Sequence, residues 1–214
     1  MKEINENFSP WPLMIDMLTS ILIIFVLFNF FDKLLNVNNL KNTVISLKRA
    51  DFKEKFDQKF TEEVDAGKIA TFADQDFLKI TFSDKILFSS GSKYLKPAGK
   101  PILEKYASLI KEVQGSRDIS NIQVEGHTDT DRVRDPAVGE PKDNWELSAA
   151  RAISVVKFLI RENIEPSLLS ANGFGQYQPV NKEANLNSQE EKELNRRIEI
   201  KIYFSAANEL GINY

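Results

Sequence analysis

Val124–Ala152, VEGHTDTDRVRDPAVGEPKDNWELSAARA, is the stretch that decides how the chain is read. Ile122 and Val124 alternate with polar Gln123 and Glu125 until Gly126 ends the run, which is the period of a half-buried strand passing into a polar loop. From Asn144 the period changes. Leu147, Ile153, Val156 and Leu159 or Ile160 recur at helical spacing, and Asn144 has the chemistry of an N-cap. Asp129 is therefore expected on the loop leading into this helix, and Arg151 about two turns along it. An acid and a base presented together can grip a ligand that carries both charges.

Outward from this stretch the chain changes character. A charged fraction of 28% sits beside one very apolar segment, so its average hydropathy hides two regimes. The net charge of −3 and the scattered basic residues argue against a nucleic-acid partner. Without cysteine there is no disulfide framework, thiolate metal site or thiol nucleophile. The lone histidine, His127, has no other histidine or cysteine to complete a metal site, and its place in the GHTD string leaves no histidine for a serine triad, so neither a metal nor an enzyme is expected.

Residues 13–31, LMIDMLTSILIIFVLFNFF, form an apolar run of about 19 residues that spans roughly 28 Å as a helix, close to the thickness of a bilayer core. Lys2 is the only basic residue before it and no small-x-small cleavage site follows, so it reads as an uncleaved anchor with Trp11 at one interface. Asp16, Thr19 and Ser20 share one face of this helix. A charged Asp at the bilayer centre costs on the order of 2.5–3.5 kcal/mol, which suits it to exchange a cation for a proton. The other reading slides the crossing segment toward Leu35 and leaves Asp16 at the interface as a helix-start acid.

Leu34 to about Ala66 lacks Pro and Gly and spaces Val37, Leu40, Val44 and Leu47 by threes and fours, which reads as a helical connector. Phe52, Phe56, Phe60 and Val64 continue as an apolar stripe that calls for a packing surface. After Gly67, strands are expected near Phe77–Phe82, Ile122–Val124, Leu168–Ala171 and Arg197–Phe204, with helices over Pro97–Val113 and after Asn144. The fold class is thus α+β: a single N-terminal transmembrane helix, a helical connector, and a two-layer α/β sandwich with a mixed sheet.

The strings GHTD, LSxxRA and NRRxE, the last as Asn195, Arg196, Arg197, Ile198 and Glu199, resemble the OmpA-like peptidoglycan-binding domain over about residues 77–204. The resemblance implies that Asp129 takes the ammonium and Arg151 the carboxylate of the meso-diaminopimelate end of a stem peptide. It further implies that Thr128 and Asn144 add hydrogen bonds and that Arg197 buttresses the pocket. Two departures stand out: Ser89 follows Phe88 where many relatives carry an acid, and the loop at 130–143 is long. An aromatic residue followed by Asp16-x-x-Thr19 in a single N-terminal helix, ahead of such a domain, resembles the B subunit of MotA/MotB-type ion-driven motors, including ZorB-type relatives.

That resemblance implies a stator in which Asp16, with Thr19 and Ser20, carries H+ or Na+ and no other cofactor. A homodimer would sit inside a pentameric ring of MotA- or ZorA-like multi-span subunits, serving flagellar motility or anti-phage defence. The expected layout is a cytoplasmic tail at 1–11, a transmembrane helix at 12–33, a periplasmic connector or plug at 34–68, the OmpA-like domain at 69–206 and a tail at 207–214. The protein would then lie in the bacterial inner membrane with its C-terminal domain in the periplasm, although Lys33, Lys41, Lys48 and Arg49 give the opposite positive-inside signal. A passive tether between membrane and wall is the alternative.

Overall fold

The computed structural model describes residues 11–115, 118–133, 138–180 and 188–206. The expected tails lie outside these residues apart from Trp11, as does part of the 130–143 loop. The chain divides into two units, Met1–Thr43 and Val44–Tyr214.

Helix α1, Trp11–Lys59, begins in the first unit. All of its residues up to Thr43 are exposed, with Leu, Ile and Phe on every side. A helix apolar all round suits lipid rather than a half-buried surface position. By length and composition it can cross a membrane. The Thr19 hydroxyl donates to the Asp16 carbonyl at 2.9 Å, a local bond that leaves the Asp16 carboxylate uninvolved.

The second unit is built on a five-stranded sheet of β1 (Ile69–Ala73), β2 (Phe77–Ser83), β3 (Ile119–His127), β4 (Leu169–Gly173) and β5 (Arg197–Phe204), in the order β1-β2-β5-β3-β4. Only β3 and β4 are parallel, joined by α5 (Asn144–Arg161) as the crossover helix that a parallel pair needs. Leu78, Ile80, Phe82, Ile122, Val124, Ile198, Ile200 and Ile202 alternate onto one face, where α4 (Lys100–Gln114) and α5 cover them. This mixed α and β architecture follows the expected fold class.

The phenylalanine stripe finds its surface in the same core. Phe52, Phe56 and Phe60 are fully buried, with Phe56 stacked on Phe60 at 4.3 Å and Phe52 edge-on to Phe204 at 5.8 Å. Residues 44–68 of the connector expected over 34–68 therefore belong with the domain, and the compact unit starts at Val44. The helix also breaks at Phe60, and a short helix α2 (Thr61–Asp65) follows.

Two elements went unforeseen. Edge strand β1 has only Ile69 buried, and α6 (Ser188–Asn195), SQEEKELN, carries hardly any apolar residue. The apolar stretch around Ile86 is the short helix α3 (Asp84–Leu87).

Two glycines let α5 lie close on the sheet. A Cβ on Gly126 would sit 2.1 Å from the Ser148 carbonyl oxygen, and one on Gly173 2.5 Å from Ala149 N. Both distances are far inside van der Waals contact, so any side chain there would push the helix away.

Candidate functional site: a charged cavity at the start of the crossover helix

Where β3 ends, its loop meets the first turns of α5, helix α3 and the residue before β5, and they enclose a cavity of about 440 Å3. The Asp143 carboxylate caps α5 by accepting from Glu146 N at 2.8 Å, while Glu146 Oε2 accepts from Lys142 N at 2.8 Å. The return bond goes to the residue before the cap, one position short of a capping box, and it still ties the loop to the helix start. The N-cap is therefore Asp143, not Asn144, because the preceding acid reaches the free amides first. Asn144 is left free to bond elsewhere, and its Nδ2 donates to Asp129 O, Asp131 O and Gln176 Oε1 at 3.1, 2.9 and 2.8 Å. It fastens the Asp129 loop to the helix.

Of the residues expected at the site, Thr128, Asp129, Asn144 and Arg151 all line this cavity. Asp129 and Arg151 do not pair with each other. Asp129 Oδ2 is bonded by Arg196 Nη1, and its Oδ1 accepts from Asp131 N at 3.1 Å. Arg151 donates from Nε to Ser92 O at 2.8 Å, forms an ion pair with Asp84 at 3.3 Å, and lies 5.2 Å over the Phe88 ring. Thr128 N donates to Gly175 O at 2.9 Å, and its buried hydroxyl has no hydrogen-bond partner among the described residues.

Burial raises the Asp84 carboxyl above its ordinary value despite Arg151 and Arg196 nearby. Burial likewise lowers the Arg151 guanidinium despite Asp84. Both partners thus report that desolvation outweighs their attraction. The cavity holds its charges at a cost, a pattern that marks it as a candidate functional site.

Arg197 does not line the cavity. It extends from the opposite face of the sheet, donating from Nε to Glu199 Oε1 at 2.6 Å and from Nη2 to Gln178 O at 3.2 Å. The arginine of the NRR string that reaches the cavity is Arg196. Asp84 is the second residue the sequence reading missed, standing four positions before Phe88, and its buried carboxylate supplies an acid that Ser89 does not.

Behind the cavity, Glu125, His127 and Glu199 bring ligand atoms within 4.8 Å of one another. Lys201 pairs with Glu125 at 2.9 Å, Arg197 with Glu199 at 2.6 Å and Lys79 with Glu199 at 3.6 Å. Three cations already answer two carboxylates, so a metal ion would meet net repulsion. Burial opposes the ionisation of both acids, but interaction with His127 and Lys201 holds Glu125, and the Arg197 charge holds Glu199, below the ordinary carboxylate value. His127 stacks on Phe174 at 5.3 Å. This network sets the end of β3 from which Thr128 and Asp129 project.

A two-layer α/β domain with a cavity of matched acids and guanidinium groups is a class of small binding module, here following an apolar helix. The sequence profile of the OmpA family matches residues 87–193, half of the chain, and the chain belongs to that family. It is 32% identical over 126 residues to motility protein B of Bacillus subtilis (strain 168), a match covering 58% of this chain and 44% of that protein. Among solved structures, a MotB-like protein from Desulfovibrio vulgaris matches with a TM-score of 0.64 and 25% identity, covering 76% of this chain and 94% of that one. The cell wall anchor of the T6SS from Pseudomonas aeruginosa matches with a TM-score of 0.59 and 26% identity, over 70% and 96% of the two chains. The chain spans about half the length of the curated relatives it matches. The chain thus carries an OmpA-like C-terminal domain that is similar to those of MotB proteins.

Proposed function

We propose that the protein is a wall-anchoring B subunit of an ion-driven membrane motor, whose C-terminal domain binds the diaminopimelate end of a peptidoglycan stem peptide. The observation that carries the anchoring is the cavity itself. The free end of diaminopimelate has an ammonium and a carboxylate on one carbon, and Asp129 and Arg151 line one recess as separately anchored, oppositely charged groups. A planar guanidinium held at Nε and Nη1 is pre-aimed for a carboxylate. Thr128 and Asn144 lie at the same rim, and the unpartnered Thr128 hydroxyl suits a ligand hydrogen bond.

Similarity to motility protein B and to a cell wall anchor supports the same reading, as does the apolar helix α1, which fits a single-pass inner-membrane protein. Asp16 is then the ion-carrying residue, Thr19 and Ser20 share its face, and a MotA- or ZorA-like multi-span ring around a dimer is the partner. The role is binding and force transmission rather than catalysis.

The test is co-sedimentation of the full chain, in detergent, with isolated peptidoglycan rich in diaminopimelate. The wild type should pellet with the wall. Asp129→Ala and Arg151→Ala should stay folded but remain in the supernatant, since removing one half of a desolvated charge pair costs about 2–5 kcal/mol. Equal pelleting of all three proteins would place wall contact elsewhere, and failure of the wild type would withdraw the anchoring role.

A further inference from the structure

A second recess of about 540 Å3 adjoins the charged cavity and shares Arg132, Val133 and Asn144 with it. Its distinctive residues are aromatic. Trp145 and Tyr177 stand side by side with ring centroids 5.4 Å apart, inclined at 45°, and are 53% and 67% exposed. Leaving two large aromatic faces in water forgoes the burial that such side chains usually supply. Their backbone is nonetheless held firmly. Ser148 Oγ donates to Trp145 O at 2.9 Å and accepts from Gly175 N at 2.9 Å, and Tyr177 N donates to Phe174 O at 3.2 Å. Gly175, at φ +55°, packs its backbone against the Asn144–Trp145 peptide, where a Cβ would already be 3.4 Å from Trp145 N. The two rings thus form a prepared platform, edged by Gln176 and Lys142.

We propose that this recess is a glycan subsite that takes an N-acetylated aminosugar ring of the wall strand whose stem peptide occupies the neighbouring cavity; the proposal rests on the peptidoglycan reading above. A pyranose presents an apolar C–H face and a rim of hydroxyl and acetamido groups. Flat aromatic faces flanked by Gln176 and Lys142 match both. The stem peptide joins the sugar to diaminopimelate through a few residues, each adding at most about 3.6 Å, so two recesses with a common wall are within its reach. Engaging sugar and peptide together raises effective concentration and so lowers the off-rate.

The protein has two tryptophans, Trp11 and Trp145, so a full-length Trp11→Phe variant in detergent reports on Trp145 alone. Its fluorescence and calorimetric affinity are measured with a disaccharide-tripeptide muropeptide and with the sugar-free tripeptide. The muropeptide should bind about tenfold more tightly, a difference of about 1.4 kcal/mol, and should shift Trp145 emission. Tyr177→Ala, and Trp145→Ala followed by calorimetry, should reduce muropeptide affinity to that of the tripeptide while leaving tripeptide affinity unchanged. Equal affinities in the wild type, or equal loss of both ligands in the variants, would overturn the sugar subsite. A wild type that ignores the tripeptide yet responds to the muropeptide through Tyr177 would overturn the cavity reading and leave the subsite standing. Binding of neither ligand would overturn both.

Discussion

Asp84 and Arg151 show how a site is bought with stability. The Asp84 carboxyl is raised in the fold, so its contribution to stability is complete at low pH and declines as pH rises through that raised value. Replacing it by the neutral isostere should therefore raise the melting temperature of Asp84→Asn at pH 7, with a smaller gain toward pH 4. Peptidoglycan affinity should fall about tenfold because Arg151 loses its charged anchor. A lower melting temperature at pH 7 would show that the pair stabilises the fold after all. Glu125 and Glu199 have the opposite sign. Their lowered values add stability that is complete above the ordinary carboxylate value of about 4.3 and disappears as pH falls through the lowered ones. A melting-temperature series from pH 7 to pH 3 should drop steeply at its acid end in the wild type and less steeply in Glu199→Gln. At this scale the sequence was partly legible. GHTD and LSxxRA located Asp129 and Arg151, because both sit at fixed offsets from a strand end and a helix start. Arg197 could have been placed correctly from its own strand: if Ile198, Ile200 and Ile202 face the helices, Arg197 and Glu199 must face away. Asp84 had no such signal, since a lone acid before an apolar pair looks like any helix-start residue.

At the scale of elements, periodicity worked where one face is buried and failed where none is. The strands β2, β3 and β5 and the helices α4 and α5 carry strong apolar patterns, whereas β1 buries one side chain and α6 has one leucine among polar residues. The connector was harder to read because a four-residue phenylalanine spacing reveals a packing surface without naming it. Its partner is the domain's own core, which has a practical consequence. A fragment of residues 69–214 lacks Phe52, Phe56 and Phe60 and exposes the apolar surface they cover, so it should unfold at a lower temperature than residues 44–214, or aggregate. In the full chain, Phe56→Ala should cost about 3–5 kcal/mol, the range for deleting a buried phenylalanine. Urea unfolding of the two fragments and of the variant checks this. Equal stability of both fragments would mean that the helix only rests on the domain.

For the whole molecule, the proposed motor role needs both the membrane segment and a wall-bound domain, because a motor that pushes on a ring must be held against its reaction. Moving one elementary charge through 100 mV releases about 2.3 kcal/mol, comparable with the roughly 2.5–3.5 kcal/mol that burying a charged Asp at mid-bilayer costs. On the proposed reading, a single acid such as Asp16 would therefore be loaded and discharged by an ordinary membrane potential. The exposed, mostly apolar surface of α1 over residues 13–31 would supply the surroundings for that exchange, with Thr19 and Ser20 on the Asp16 side. Orientation was the least legible property, since Lys33, Lys41, Lys48 and Arg49 follow the segment and favour a cytoplasmic C-terminus, while a wall ligand requires the reverse. The structure adds a reason to discount one of these charges: Lys48 is engaged by Asp118 at 2.6 Å within the second unit. A reporter that is active only outside the cytoplasm, fused after Tyr214, should therefore be active. In the same cells Asp16→Asn should insert, assemble with the multi-span partner and pellet with peptidoglycan as the wild type does, but abolish ion-dependent motor output. Full output from Asp16→Asn would remove the ion-carrying role and leave a passive tether, whereas loss of wall binding in that variant would mean that the substitution had damaged the fold rather than the ion path.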